Sequence, residues 1–229
     1  MVVFVPSYSF EKCLFDAWKQ GNIVSRLEAL KPVFREPKQT ASLPNVLQKY
    51  ADKCRDGGGK AIHQSPSPSP SPSPSLFTAI LFCVVGGKMS EGINFKDELA
   101  RLVVVIGLPF ANLNDPEMKE RMQHMHNTTK ATTTIGDGDG DGDGRSCDVS
   151  RLYYETLCLR AVNQSIGRAI RHRGDHAAIV LIDERFQQQS MMSYIPEWIR
   201  HNVRQCVHFG QVISNLASFY RRFPRPQRQ

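Results

Sequence analysis

The chain alternates short, almost uninterrupted apolar runs with amphipathic stretches, which is the pattern of an α/β protein. Four apolar runs predict buried strands: Val2–Val5, Leu76–Val85, Leu102–Leu108 and Ala177–Ile182. Helical periodicity and proline punctuation predict helices over Phe10–Lys19 (capped by Ser9), Ile23–Leu30, Leu43–Cys54, Ile195–Arg200 and Gly210–Arg222, with another from Pro116. Continuous apolar strands are typical of a sheet covered on both faces. We therefore predict a mostly parallel sheet with helices on both sides.

Two low-complexity stretches interrupt this pattern. Residues 56–75 contain an alternating Ser-Pro tract, whose prolines remove backbone donors and forbid helix or sheet. Residues 127–148 are polar and end in a Gly-Asp repeat that imitates half of a calcium loop but lacks its final glutamate. We interpret both as disordered inserts in one domain spanning residues 1–222, followed by a basic tail at 223–229.

The stretch Ala161–His172, A-V-N-Q-S-I-G-R-A-I-R-H, carries the most specific polar pattern. If it ends a helix begun near Arg151, Gln164, Arg168 and Arg171 project from one face. The apolar face is then formed by Leu152, Leu159, Ile166 and Ile170. Gly167 would lie mid-helix, where it costs about 1 kcal/mol against alanine and so indicates a packing or functional reason. Guanidinium groups suit phosphate oxygens, although a solvated basic face gives the same pattern.

The distribution of charge favours contact with phosphates. Residues 1–150 carry 17 basic and 17 acidic side chains, whereas residues 151–229 carry 12 and 5, so the whole excess of +7 lies in the last third. Such a segment fits nucleotide or nucleic acid.

A second stretch, V-V-G-G-K-M-S-E-G-I-N-F at Val84–Phe95, follows a predicted buried strand. Its paired glycines predict a turn whose backbone N–H groups can approach an anion closely. Alone this signal is weak, because many strand-to-loop junctions hold glycine.

The spacing Q-x-x-G-R-x-x-R resembles motif VI of superfamily 2 helicases, and Gly86–Phe95 resembles their motif V. Together they resemble the XPD-like iron–sulphur DNA helicases, and within them the chromosome-loss branch that acts in sister-chromatid cohesion. The resemblance covers Val2–Lys53 and Leu76–Arg222. It implies a RecA-like fold and the second motor half of an ATP-dependent DNA helicase, with the first motor domain absent from this chain.

The resemblance also implies roles for individual residues. Arg168 and Arg171 would be catalytic arginine fingers. The nucleotide would be bound by Glu91, Gly92, Gln164, Arg168 and Arg171, and DNA by Ser7, Tyr8 and Ser90. For Ser7 and Tyr8, turn chemistry and aromatic packing are an equal alternative. ATP and Mg²⁺ would be held mainly by the first domain. The expected partners are DNA, ATP and that first RecA-like domain in the nucleus, with no membrane.

The family's iron–sulphur cluster has no ligands here, because the six cysteines contain no C-x-x-C pair. The strand ending in Asp183-Glu184 resembles a Walker B strand, but no Walker A loop accompanies it anywhere in the chain, so Asp183 and Arg185 are expected to serve structure. The chain alone should therefore be inactive. The alternative function is a non-catalytic fragment that only binds nucleic acid or a partner.

Overall fold

The computed structural model describes residues 1–55, 79–89, 95, 97–109, 116–133, 149–170, 172 and 174–223. Among these residues, five strands form one sheet: β1 (Val2–Val5), β2 (Val33–Arg35), β3 (Ile80–Val84), β4 (Leu102–Ile106) and β5 (Ala178–Ile182). Their order is β2-β3-β1-β4-β5, and every neighbouring pair is parallel. The predicted α/β class with a parallel sheet is confirmed.

Along the chain, the described helices lie between these strands and after the last of them. They are α1 (Tyr8–Gln20), α2 (Ile23–Leu30), α3 (Leu43–Arg55), α4 (Pro116–Thr133), α5 (Val149–Ile166), α6 (Gln189–Ser193), α7 (Glu197–Arg200) and α8 (Phe209–Arg221). No helix of the described residues is both long and apolar enough to cross a membrane.

Alternate residues of the central strands face two separate hydrophobic clusters, because successive side chains of a strand point to opposite faces. Val2 and Phe4 of β1 pack with residues of α3 and α5, including Tyr50 and Leu159. Val3 and Val5 pack with α1 and α2 through Phe15, Trp18 and Leu27. Helices therefore cover both faces of the sheet, as predicted.

Two local predictions were wrong, and one strand was missed. Ser7, not Ser9, caps α1: its side chain accepts a hydrogen bond from the Phe10 amide at 3.1 Å, and the helix begins at Tyr8. The sequence-based prediction also missed β2. Leu152 is 41% exposed rather than packed in the core, whereas Leu159 and Ile166 are buried and Ile170 is partly buried, as expected.

The predicted inserts lie largely outside the described residues. The Ser-Pro tract, the Gly-Asp repeat and residues 224–229 of the predicted tail belong to the part that is not described. Helix α4 begins at Pro116, as predicted, and extends to Thr133, so the first residues of the insert expected at 127–148 are helical.

Candidate nucleotide and nucleic-acid site

The helix that carries the predicted motif VI ends earlier than the sequence predicts. Helix α5 ends at Ile166, and the chain then tightens into a turn in which the Arg168 amide donates to Ser165 O at 3.3 Å and Ala169 to Ile166 O at 3.0 Å. Gly167 follows the last helical residue instead of lying mid-helix. The expectation that three polar residues share one face of a continuous helix was wrong.

Two of those three residues lie in the described part of the chain. Gln164 is exposed in the last turn of α5, and Arg168 is half-buried two residues after the helix. Arg171 lies outside the described residues. Within the described part, no carboxylate forms an ion pair with the Arg168 guanidinium, whereas Arg101 and Arg185 are each paired with an aspartate.

The backbone of Arg168 joins the predicted motif VI to the predicted motif V. Its carbonyl accepts a hydrogen bond from the Phe95 amide at 3.1 Å. Phe95 is 1% exposed, and its ring packs edge-on against Phe4 of β1 at 6.3 Å between centroids. Phe95 ends the stretch that contains Ser90, Glu91 and Gly92, which themselves lie outside the described residues.

The start of the stretch that ends at Phe95 is held by Glu36, a residue to which the sequence analysis assigned no role. Glu36 is 8% exposed, and its carboxylate accepts hydrogen bonds from the amides of Val84 at 2.8 Å and Met89 at 3.2 Å. The last residue of β3 and the turn after it, residues 84–89, are hereafter the β3 turn. The amides at the two ends of this turn, those of Val84 and Met89, donate to the carboxylate of Glu36, whereas the Gly87 amide donates to the Val84 carbonyl.

The two glycines of the β3 turn have distinct reasons to be glycine. Gly86 has a φ of +69°, in the left-handed region that residues with a side chain rarely adopt. At Gly87 an added Cβ would lie 2.6 Å from Oε1 of Glu36 and 2.8 Å from the Val84 carbonyl oxygen. The second glycine therefore permits the close approach of the carboxylate.

The turn after β1 is tied to the same carboxylate. The Tyr8 hydroxyl donates to Glu36 Oε1 at 2.7 Å, and burial together with this bond raises the pKa of Tyr8 well above its usual value. Phosphate oxygens only accept hydrogen bonds, so a phenol that already donates its proton to Glu36 cannot also donate it to a phosphate. The Ser7 hydroxyl accepts from the Phe10 amide and shares a hydrogen bond with Ser9 at 2.9 Å. The contacts of both side chains are those of a capped turn and a packed aromatic.

The Asp183 carboxylate has the structural role that the sequence analysis favoured. Its oxygens accept hydrogen bonds from the Arg185 amide at 2.9 Å, from the Arg185 guanidinium at 2.7 and 2.5 Å, and from the Leu108 amide at 3.1 Å. The hydrogen bond from Arg185 holds the pKa of Asp183 below its usual value. Four bonds occupy the acceptor positions of a carboxylate, which leaves none for Mg²⁺.

The described part of the chain contains no group of three or more His, Cys, Asp or Glu side chains that could hold a metal ion. Its cysteines at 13, 54, 83, 158 and 206 form no disulfide with one another, and burial raises the pKa of Cys83 well above its usual value. These thiols behave as core or surface residues.

Comparison with known proteins identifies the class. A family model described as the helicase C-terminal domain matches residues 1–202. The chain belongs to this family of helicase C-terminal domains, and the residues that the structure describes form the parallel α/β sheet given above.

Individual relatives agree with that assignment. The chain is 37% identical over 226 residues to the ATP-dependent DNA helicase DDX11 of Danio rerio, covering 96% of this chain and 22% of the relative. It is 35% identical to the ATP-dependent DNA helicase chl1 of Schizosaccharomyces pombe, covering 96% of this chain and 23% of the relative. The chain thus spans less than a quarter of the length of these relatives. A solved structure named XPD helicase matches 90% of this chain and 28% of its own, with 18% identity and a TM-score of 0.49.

Proposed function

We propose that this chain is the C-terminal motor half of an ATP-dependent DNA helicase that acts in the nucleus, in DNA repair and chromosome cohesion. It would work together with a first RecA-like domain, which would hold most of the ATP and Mg²⁺ and, as in the XPD-like branch, an iron–sulphur cluster. The observation that carries the proposal is the hydrogen bond from the Phe95 amide to the Arg168 carbonyl, because it joins the two motif-bearing stretches. Relatives of this chain are named ATP-dependent DNA helicases, which supports the proposal of ATP-dependent helicase activity.

In this proposal Arg168 and Arg171 are arginine fingers that reach the γ-phosphate across the cleft between the two motor domains. A guanidinium stabilises the charge that develops on the phosphoryl oxygens, and this contribution is about 10³–10⁵ in rate. The half-buried position of Arg168 and its lack of a carboxylate partner among the described residues support the assignment. Gln164, Glu91 and Gly92 would contact or position the nucleotide.

DNA would lie against the turn after β1 and the stretch from Ser90. Because the Tyr8 hydroxyl donates to Glu36, we propose that contact at Ser7 and Tyr8 involves the backbone of the first turn of α1. The first N–H groups of a helix have no intrahelical acceptor and attract phosphate. Closing the cleft on ATP and reopening it after hydrolysis would move the bound strand.

The test is the DNA-stimulated ATPase rate of a chimera in which this chain replaces the matching segment of the zebrafish relative. Arg168→Ala and Arg171→Ala should each reduce turnover by about 10³-fold or more while single-stranded DNA affinity stays within twofold. The matched control is Arg160→Ala, since Arg160 is an exposed arginine on α5. Unchanged turnover in both variants would contradict the finger assignment. If the unmutated chimera binds DNA without hydrolysing ATP, the chain is a binding module instead.

A further inference from the structure

Glu36 is a nearly buried carboxylate for which neither the motifs nor the arginine fingers account. It follows β2, the edge strand that pairs with β3, and the Glu36 amide itself donates to the Phe82 carbonyl at 2.9 Å. This bond continues the ladder between β2 and β3 and fixes the backbone from which the side chain extends.

The carboxylate of Glu36 bonds to two separate segments of the chain. Oε1 accepts from the Tyr8 hydroxyl at 2.7 Å and from the Met89 amide at 3.2 Å, and Oε2 accepts from the Val84 amide at 2.8 Å. Tyr8 follows β1, and Val84 and Met89 belong to the β3 turn. Because β1 and β3 are parallel neighbours, both segments leave the sheet at the same edge.

A second contact reinforces the same connection from the solvent side. The Lys88 ammonium donates to the Lys38 carbonyl oxygen at 3.0 Å and to the Thr40 hydroxyl at 2.7 Å. The chain that follows β2 therefore holds the β3 turn at two points, one buried and one exposed. Two of the three donors of the Lys88 ammonium are therefore used within the chain, one on a backbone carbonyl and one on a side-chain hydroxyl.

We propose that Glu36 is a positioning residue for the proposed motor. Its carboxylate fixes the β3 turn relative to the first turn of α1, so that the chain enters the stretch beginning at Ser90 in one geometry. The consequence for DNA rests on the proposed function, in which DNA lies against the turn after β1 and the stretch that follows the β3 turn. All three partners are donors, which matches a carboxylate because both of its oxygens only accept hydrogen bonds.

The test uses the 229-residue chain, a fluorescein-labelled oligothymidylate and fluorescence anisotropy. Glu36→Gln turns one oxygen into an NH₂ group that faces a donor. We expect its DNA affinity to fall about tenfold, since a hydrogen bond to a charged group is lost. Charge alone predicts the opposite sign, because removing an acid from a DNA-binding surface strengthens phosphate binding. The matched control is Glu28→Gln, an exposed glutamate on α2, for which affinity should be unchanged or slightly higher.

Amide hydrogen exchange separates failure of this proposal from failure of the proposed function. In Glu36→Gln, the Val84 and Met89 amides should lose protection by about tenfold relative to the core amides of β1. If the unmutated chain does not bind the oligonucleotide, the proposed DNA contact is wrong, and hydrogen exchange alone decides whether Glu36 fixes the turn. Unchanged protection at both amides, or unchanged DNA affinity with lost protection, would overturn the positioning role.

Gly87→Ala provides a second perturbation that does not change the chemistry of the Glu36 side chain. The added Cβ would lie 2.6 Å from Oε1 and must displace either Glu36 or the turn. If both changes act through the same contact, the double variant should bind DNA no more weakly than the worse single variant. Fully multiplicative losses would show independent effects and would also contradict the proposal.

Discussion

Replacing Asp183 by asparagine tests whether this residue serves the fold or a metal. Its carboxylate connects the end of β5 to the end of β4, since it accepts from the Arg185 amide and guanidinium and from the Leu108 amide. Asparagine keeps one acceptor oxygen and turns the other into a donor. That donor must then face the Leu108 amide or the Arg185 guanidinium, both of which are also donors.

The expected loss follows from the exposure of the pair. The side chains of Asp183 and Arg185 are 11% and 28% exposed, so water screens them only in part. A hydrogen bond to a charged group contributes about 1.5–3 kcal/mol, and an exposed ion pair about 0–1 kcal/mol. We therefore expect Asp183→Asn to lower the free energy of unfolding by about 2 kcal/mol near neutral pH.

The same variant should depend on pH with a defined sign. Because Arg185 lowers the pKa of folded Asp183 below its usual value of 3.8, the carboxylate stabilises the fold fully above that value. The stabilisation is lost as pH falls through the lower folded pKa. The difference in unfolding free energy between wild type and Asp183→Asn should thus be constant around neutrality and shrink in strongly acidic solution.

Urea denaturation followed by circular dichroism measures this difference, and Glu184→Gln is the matched control because Glu184 is exposed beside Asp183. The control should change stability by less than about 0.5 kcal/mol. An Asp183→Asn variant as stable as wild type would refute the structural account. So would a melting temperature that Mg²⁺ raises in wild type and not in the variant.

Two further changes test the packing of the sheet's α3 and α5 face by the same denaturation assay. Leu159→Ala, at a fully buried position, should lower the free energy of unfolding by about 3 kcal/mol. Leu152→Ala on the same helix, at a position 41% exposed, should lower it by less than about 1 kcal/mol. Equal losses would contradict the described buried face of α5. Tyr50→Phe removes the hydroxyl that donates to the Leu99 carbonyl and should cost about 1–1.5 kcal/mol, while a gain in stability would show that this bond is not formed.

The parts of the fold that sequence predicts well are those set by local pattern. The bounds of β1 and α2 agree with the prediction because each is a continuous apolar or periodic run next to turn or proline residues. Strand β2 was missed because its three residues, Val33–Arg35, carry no alternation long enough to recognise. It is a strand through its pairing with β3, which is distant in sequence.

The site shows the same division between local and distant causes. The residue types of the predicted motifs single out Arg168, but the helical pattern in the sequence continues beyond Ile166 although the helix ends there. The bond from Phe95 to the Arg168 carbonyl belongs to that non-helical turn, and no local pattern encodes it. Glu36 gave no signal for a related reason, because its amide partners Val84 and Met89 lie about fifty residues further along the chain.

The most direct test of the central claim is whether Arg168 recognises the transition state of phosphoryl transfer. The measurement is the affinity of the zebrafish chimera for ADP with aluminium fluoride, compared with its affinity for ADP alone, in the presence of single-stranded DNA. The account predicts that Arg168→Ala weakens binding of the fluoride complex by about 10³-fold and leaves ADP affinity within twofold, whereas Arg160→Ala changes neither. Equal affinity of wild type and Arg168→Ala for the fluoride complex would contradict the claim that this chain supplies an arginine finger.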